Sequence, residues 1–137
     1  MSECTTRDSG APKRVLIADD DADVCALLEV VLGPLADVTT VPDAESALAL
    51  LATQPAYDVI VSDFMLPGIN GLEFVERIRS DKSVGAVAIL MISGHGSQNV
   101  GERAREAGVD AFLDKPFTLA QLRATIGSLL MPRVRYA

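Results

Sequence analysis

The chain has 137 residues, the size of one ordinary domain, which argues against a second full-sized core. Apolar residues make up 49% and charged residues 23%, a globular balance far from disordered or collagen-like compositions. Twelve Lys and Arg against nineteen Asp and Glu leave a net charge of −7, which repels a phosphate backbone and an anionic bilayer alike and argues against direct binding to nucleic acid or membrane.

Residues 1–12 mix Ser, Thr, Asp, Gly and Pro without periodicity and read as a flexible leader outside the fold. No apolar run of signal-peptide type occurs from Met1 to Lys13, and no later stretch reaches the roughly 18–20 apolar residues of a membrane span, so a soluble cytoplasmic protein is expected. Val15-Leu16-Ile17-Ala18 is apolar throughout, as in a strand covered on both faces of a parallel sheet, and ends abruptly in Asp19-Asp20-Asp21. Val24, Leu27, Leu28, Val31 and Leu32 then recur at helical spacing up to Gly33-Pro34. Cys25 sits in this pattern and Cys4 in the leader; without a CxxC they point to a reducing compartment. Val38 to Val41 predicts a second strand, and Asp43 an N-cap for a helix with Ala44, Ala47, Leu48 and Leu51 on one face, fading near Gln54-Pro55.

Val59-Ile60-Val61 predicts a third strand, with Asp63 just past its end. Leu66 to Gly71 is a turn, and Asn70 with Glu73 predicts a capping box before Leu72, Phe74, Val75 and Ile78. A fourth strand follows at Val87 to Ile92, then Ser93-Gly94-His95-Gly96 and a helix over about Ser97 to Ala107, with Val100, Ala104 and Ala107 inward. Gly108 closes that helix, Val109 to Leu113 predicts the fifth strand, and Asp114-Lys115-Pro116 ends it. Thr118 and Gln121 pair as a capping box ahead of Leu119, Leu122, Ile126, Leu129 and Leu130. Five strands alternating with five helices predict an open α/β three-layer sandwich, a (βα)5 unit with a parallel sheet.

Ligands of such sheets bind beyond the carboxyl ends of the strands, where the strand order reverses. Asp19 and Asp20 follow strand one, Asp63 strand three, Ser93 strand four and Lys115 strand five. In a 2-1-3-4-5 order strands one and three are neighbours, so the three carboxylates converge. Their mutual repulsion calls for a cation, and oxygen ligands favour a hard ion such as Mg2+. A carboxylate held there can attack phosphorus, which makes Asp63 a candidate nucleophile, with Ser93 and Lys115 placed to meet the phosphoryl oxygens. Asp21 and Asp23 read instead as helix caps. The single histidine, His95, cannot supply a multi-histidine metal site.

These residues resemble a known family, the receiver domain of two-component response regulators. The likeness lies in Val15 to Asp21, Val61 to Gly71, Met91-Ile92-Ser93-Gly94 and Lys115-Pro116-Phe117, and spans about residues 13–130, leaving 131–137 as a short tail or the start of a linker. The resemblance implies a flavodoxin-like fold and a phosphoacceptor at Asp63, served by a sensor histidine kinase or histidine phosphotransfer protein. Asp19, Asp20 and Asp63 would hold Mg2+ with the backbone carbonyl of Met65, and the Lys115–Pro116 bond would be cis. Ser93 and Phe112 match the switch pair that rearranges the face of helix four, strand five and helix five. Met65 and His95 match positions that tune hydrolysis of the aspartyl phosphate.

The family's members are signalling phosphoacceptors rather than enzymes acting on external substrates. The output would be a downstream effector protein or a covalently linked output domain, with a homodimer on phosphorylation as a further possibility. Alternatives are a degenerate receiver that binds partners without phosphorylation, and a haloacid-dehalogenase-type phosphatase, which wants an acid where Met65 stands.

Overall fold

The computed structural model describes residues 12–54, 56–84, 86–94 and 100–131. Strands and helices alternate: β1 (Arg14–Ala18), α1 (Ala22–Leu32), β2 (Asp37–Val41), α2 (Ala44–Thr53), β3 (Val59–Asp63), α3 (Gly71–Ser80), β4 (Ala88–Gly94), α4 (Val100–Ala107), β5 (Ala111–Lys115) and α5 (Leu119–Leu130). The strands form one parallel sheet in the order β2-β1-β3-β4-β5. The chain steps outward from β1 to β2, then back across β1 to β3, so strand order reverses between β1 and β3. That reversal opens a crevice at the carboxyl ends of these two strands.

Alternating side chains of the central strands feed two separate cores. Leu16, Ile60, Ile89 and Met91 meet Ala47 and Leu51 of α2, Phe74 and Ile78 of α3 and Ala104 of α4. Val15, Ile17, Val61, Leu90 and Ile92 meet Leu28 and Leu32 of α1 and Leu122 and Ile126 of α5. Burial on both faces explains why β1, β3 and β4 read as unbroken apolar runs.

Helix starts fall where the capping residues predict them. Asp21 accepts from the amides of Asp23 and Val24, Asp43 from that of Ser46, and Thr118 and Gln121 form a reciprocal capping box. At α3 Asn70 accepts from the Glu73 amide, but the Glu73 carboxylate pairs with Arg77 at 2.9 Å. The predicted box is therefore drawn into an i,i+4 ion pair.

Several strand boundaries differ from expectation. β3 runs on through Asp63, because its ladder with β4 continues past the apolar run to Asp63↔Ile92, and β4 runs on through Gly94, because it pairs with β5 at Ser93↔Asp114 and Gly94↔Lys115. β5 begins at Ala111 rather than Val109, since the Val109 amide donates back to Ala104 of α4, and it runs on to Lys115 against Gly94. Leu27 is 45% exposed, and Cys25 takes the inward place beside Leu28. His95, the predicted start of α4 at Ser97, and most of the predicted leader and tail lie outside the described residues. Among the described residues no helix is long and apolar enough to cross a membrane.

Candidate functional site

Ala18 and Ser62 are paired across β1 and β3, so the residues that follow them, Asp19 and Asp63, emerge side by side at the crevice. Asp63 is 8% and Asp19 4% exposed, while Asp20 is open to solvent. Carboxylate oxygens of the three lie within 4.8 Å of one another. From β5 the Lys115 ammonium approaches Asp63 Oδ2 at 3.7 Å. Ser93 is buried one residue beyond Ile92, the partner of Asp63, and its hydroxyl donates to the Gly94 carbonyl at 3.3 Å. The predicted strand-end residues therefore share one rim.

The electrostatics of this rim are unbalanced. Burial pushes the Asp19 carboxyl above the usual carboxylate range; the Asp21 amide, donating to its Oδ1 at 2.9 Å, works against that rise, as does Lys115, while Asp63 and Asp20 add to it. Three close acids against a single ammonium make a donor set of carboxylate oxygens that fits a hard divalent cation. Met65 presents its amide to Asp63 Oδ1 at 3.2 Å and leaves its side chain 68% exposed beside the acid.

Two residues support the site in roles that the linear pattern does not assign to them. A Cβ on Gly71 would stand 2.7 Å from the Asp63 carbonyl oxygen and 2.9 Å from Phe64 Cα. Glycine there lets α3 start against the strand that carries Asp63. The Cys25 thiol donates to the Asp19 carbonyl at 3.3 Å and supports the β1 end from below. Burial, then the surrounding acids, push this thiol up. Asp19, Asp20 and Cys25 also line a groove of about 360 Å³ that runs between α1 and the β2–α2 turn.

The Lys115–Pro116 peptide is cis. Phe112 lies further back on β5, half-buried, with its ring facing Gly101 of α4.

The family profile for the response regulator receiver domain matches residues 15–127, most of the chain. The chain belongs to the response-regulator receiver family. This receiver is 29% identical over 115 residues to a Rhizobium etli protein named "Probable chemotaxis protein CheY", covering 82% of this chain and 88% of the relative. It is 37% identical over 121 residues to the transcriptional regulatory protein PrrA of Mycobacterium bovis, covering 88% of this chain and 51% of that one. Of several other curated relatives it spans between 12% and 52% of the length. Among solved structures, the chemotaxis response regulator CheY4 of Vibrio cholerae aligns with a TM-score of 0.78 at 30% identity, over 88% of this receiver and all of that chain.

Proposed function

We propose that this receiver accepts a phosphoryl group on Asp63 from a phosphohistidine of a sensor kinase or histidine phosphotransfer protein, in a Mg2+-dependent reaction. The observation that carries this reading is the convergence of Asp19, Asp20 and Asp63 within 4.8 Å, with Lys115 at 3.7 Å from the acceptor. Asp63 Oδ forms the new bond to phosphorus as the P–N bond to the donor imidazole breaks, and the imidazole nitrogen retains the electron pair and takes a proton. The Met65 amide holds one acceptor oxygen in place. Lys115 leaves Asp63 for a phosphoryl oxygen and offsets its charge. Ser93 exchanges its weak bond to Gly94 for another phosphoryl oxygen.

Asp19, Asp20, Asp63 and the Met65 carbonyl are the protein ligands for Mg2+, which when bound supplies charge neutralisation to the transferring group. The movement of Ser93 turns Phe112 inward and alters the face of α4, β5 and α5. That face meets a downstream effector protein, a linked output domain or a second copy of the chain. Residues 13–130 form the receiver, which works in the cytoplasm, with 1–12 as leader and 131–137 as tail or linker. Met65 and His95 set the lifetime of the acyl phosphate, the apolar Met65 slowing attack by water.

The test is intact mass after incubation with Mg2+ and phosphoramidate or acetyl phosphate. Wild type should gain one phosphoryl group, EDTA should abolish the gain and Asp63→Asn should show none. No gain under conditions that phosphorylate another receiver would overturn the acceptor assignment and favour a phosphorylation-independent binding module.

A further inference from the structure

We propose that Arg79 is the positioning residue of the switch: it fastens the carboxyl end of α4 to the starts of β4 and β5, so that α4 moves on phosphorylation by pivoting about Gly108. The proposal rests on the reading of Asp63 as phosphoacceptor.

Arg79 stands in the last turn of α3 and reaches across the edge of the sheet opposite to Asp63. Its Nε and Nη2 donate to the Gly108 carbonyl at 3.0 and 2.8 Å, and its Nη1 to the Val87 carbonyl at 2.6 Å. Nη2 also meets Asp110 Oδ2 at 2.8 Å, and that oxygen takes the Ile89 amide at 2.9 Å. One planar guanidinium thus joins the lead into β4, the turn after α4 and the lead into β5. The fork geometry that suits several fixed acceptors at once belongs to arginine and not to lysine.

Gly108 is shaped for this contact. Its φ is +113°, and a Cβ there would lie 2.9 Å from Arg79 Cγ. Its amide meanwhile closes α4 onto Ala104 and Arg105. The turn is therefore held from the helix side and from the arginine side together.

The rest of α4 grips the core weakly. Only Val100 and Ala104 are buried, and Glu102, Arg103, Arg105 and Glu106 are exposed. At Gly101 a Cβ would sit 3.8 Å from the Phe112 ring, and a cleft of about 60 Å³ lies between Gly101, Arg105, Val109 and that ring. A helix tied at one end by charge-assisted hydrogen bonds, and resting elsewhere on small side chains beside a cleft, moves most easily as a lever about the tied end. Its free travel is greatest where it faces Phe112.

Hydrogen–deuterium exchange tests this on the full chain as wild type, Arg79→Ala, Arg79→Lys and Asp63→Asn, each free and with Mg2+ and beryllofluoride. In free Arg79→Ala, amides of 104–110 should exchange at least about tenfold faster, the factor that corresponds to one lost charge-assisted hydrogen bond, with β1 and β3 unchanged. Beryllofluoride should alter the first turn of α4 and Phe112 in wild type while sparing 105–110, and in Arg79→Ala the response should spread into 105–110. Arg79→Lys should fall between the two and gives the same readout if the alanine variant fails to fold. Uniform loosening of every element, or a beryllofluoride response in both variants matching wild type, would overturn the pivot. A wild type that gains no phosphoryl mass and gives no response, like Asp63→Asn, would bring down the acceptor reading and the pivot with it; a phosphorylated wild type whose response already covers 105–110 sinks the pivot alone.

Discussion

Replacing Asp19 by Asn should stabilise the protein when divalent cations are removed. Asp19 is almost fully buried, with carboxylate oxygens of Asp20 and Asp63 within 4.8 Å. At an effective dielectric of about 20, two unit charges at that distance repel by about 3 kcal/mol. Lys115 and solvent at Asp20 offset part of this, leaving a net gain of about 1–2 kcal/mol on neutralisation, or about 3–10 °C in Tm. Asparagine retains an oxygen to accept the Asp21 amide, which now donates to Asp19 at 2.9 Å. The pH dependence follows from the raised Asp19 pKa. The folded state holds this proton more tightly than the unfolded one, so stability is lost as pH rises from the ordinary carboxylate range through the raised value. Urea unfolding in EDTA across pH 3.5 to 8 should show the variant's advantage opening over that window and vanishing in acid. Added Mg2+ should stabilise wild type more than the variant, by mass action. A variant less stable than wild type in EDTA at pH 7, or a difference independent of pH, would refute the account.

Three further outcomes are expected. Gly71→Ala should destabilise by about 1–3 kcal/mol in urea unfolding and slow phosphorylation by phosphoramidate, because the added methyl meets backbone at 2.7 and 2.9 Å and displaces the strand end that carries Asp63. The Cys25 thiol, pushed up by burial and by neighbouring acids, should react with iodoacetamide at pH 7.5 at least about tenfold more slowly than a free cysteine, read by peptide mass. Asp43, held below the usual carboxylate range by the Ser46 amide and hydroxyl, contributes stability that is present above the unfolded pKa and lost as pH falls through the folded one; Asp43→Asn should flatten that part of the acid-unfolding curve.

The order and type of the elements were legible because each central strand carries an unbroken apolar run and the starts of α1, α2, α3 and α5 carry capping side chains. The site was legible for a related reason: in a parallel sheet a polar residue directly after an apolar run has one place to go, the carboxyl rim. Strand ends were less visible, since Ser62, Asp63 and Ser93 are polar yet still hydrogen-bonded in the ladder. Leu27 misled because five apolar residues over three helical turns make a wider stripe than the sheet covers. Gly71, Cys25 and Arg79 act through partners distant in sequence or through backbone atoms, and periodicity carries no record of either.

The two ends of the sheet are built on opposite electrostatic plans. At the amino ends, carbonyl and carboxylate acceptors meet arginines: Arg14 donates from its amide to Asp58, from its guanidinium to Ala56 and Gln54, and lies 4.3 Å over the Tyr57 ring, while Arg79 answers Asp110, Val87 and Gly108. At the carboxyl ends, Asp19, Asp20 and Asp63 face Lys115, and its approach to Asp63 is a loose 3.7 Å. A fold able to satisfy charge so fully at one edge leaves it unsatisfied at the other, at a cost in stability that the two apolar cores absorb. On the proposed reading, that deficit is what gives a cation and a phosphoryl group leverage over the structure. A ligand shifts a conformational equilibrium only by its differential interaction with the two states, and a rim already neutralised by arginine would have nothing left to respond with.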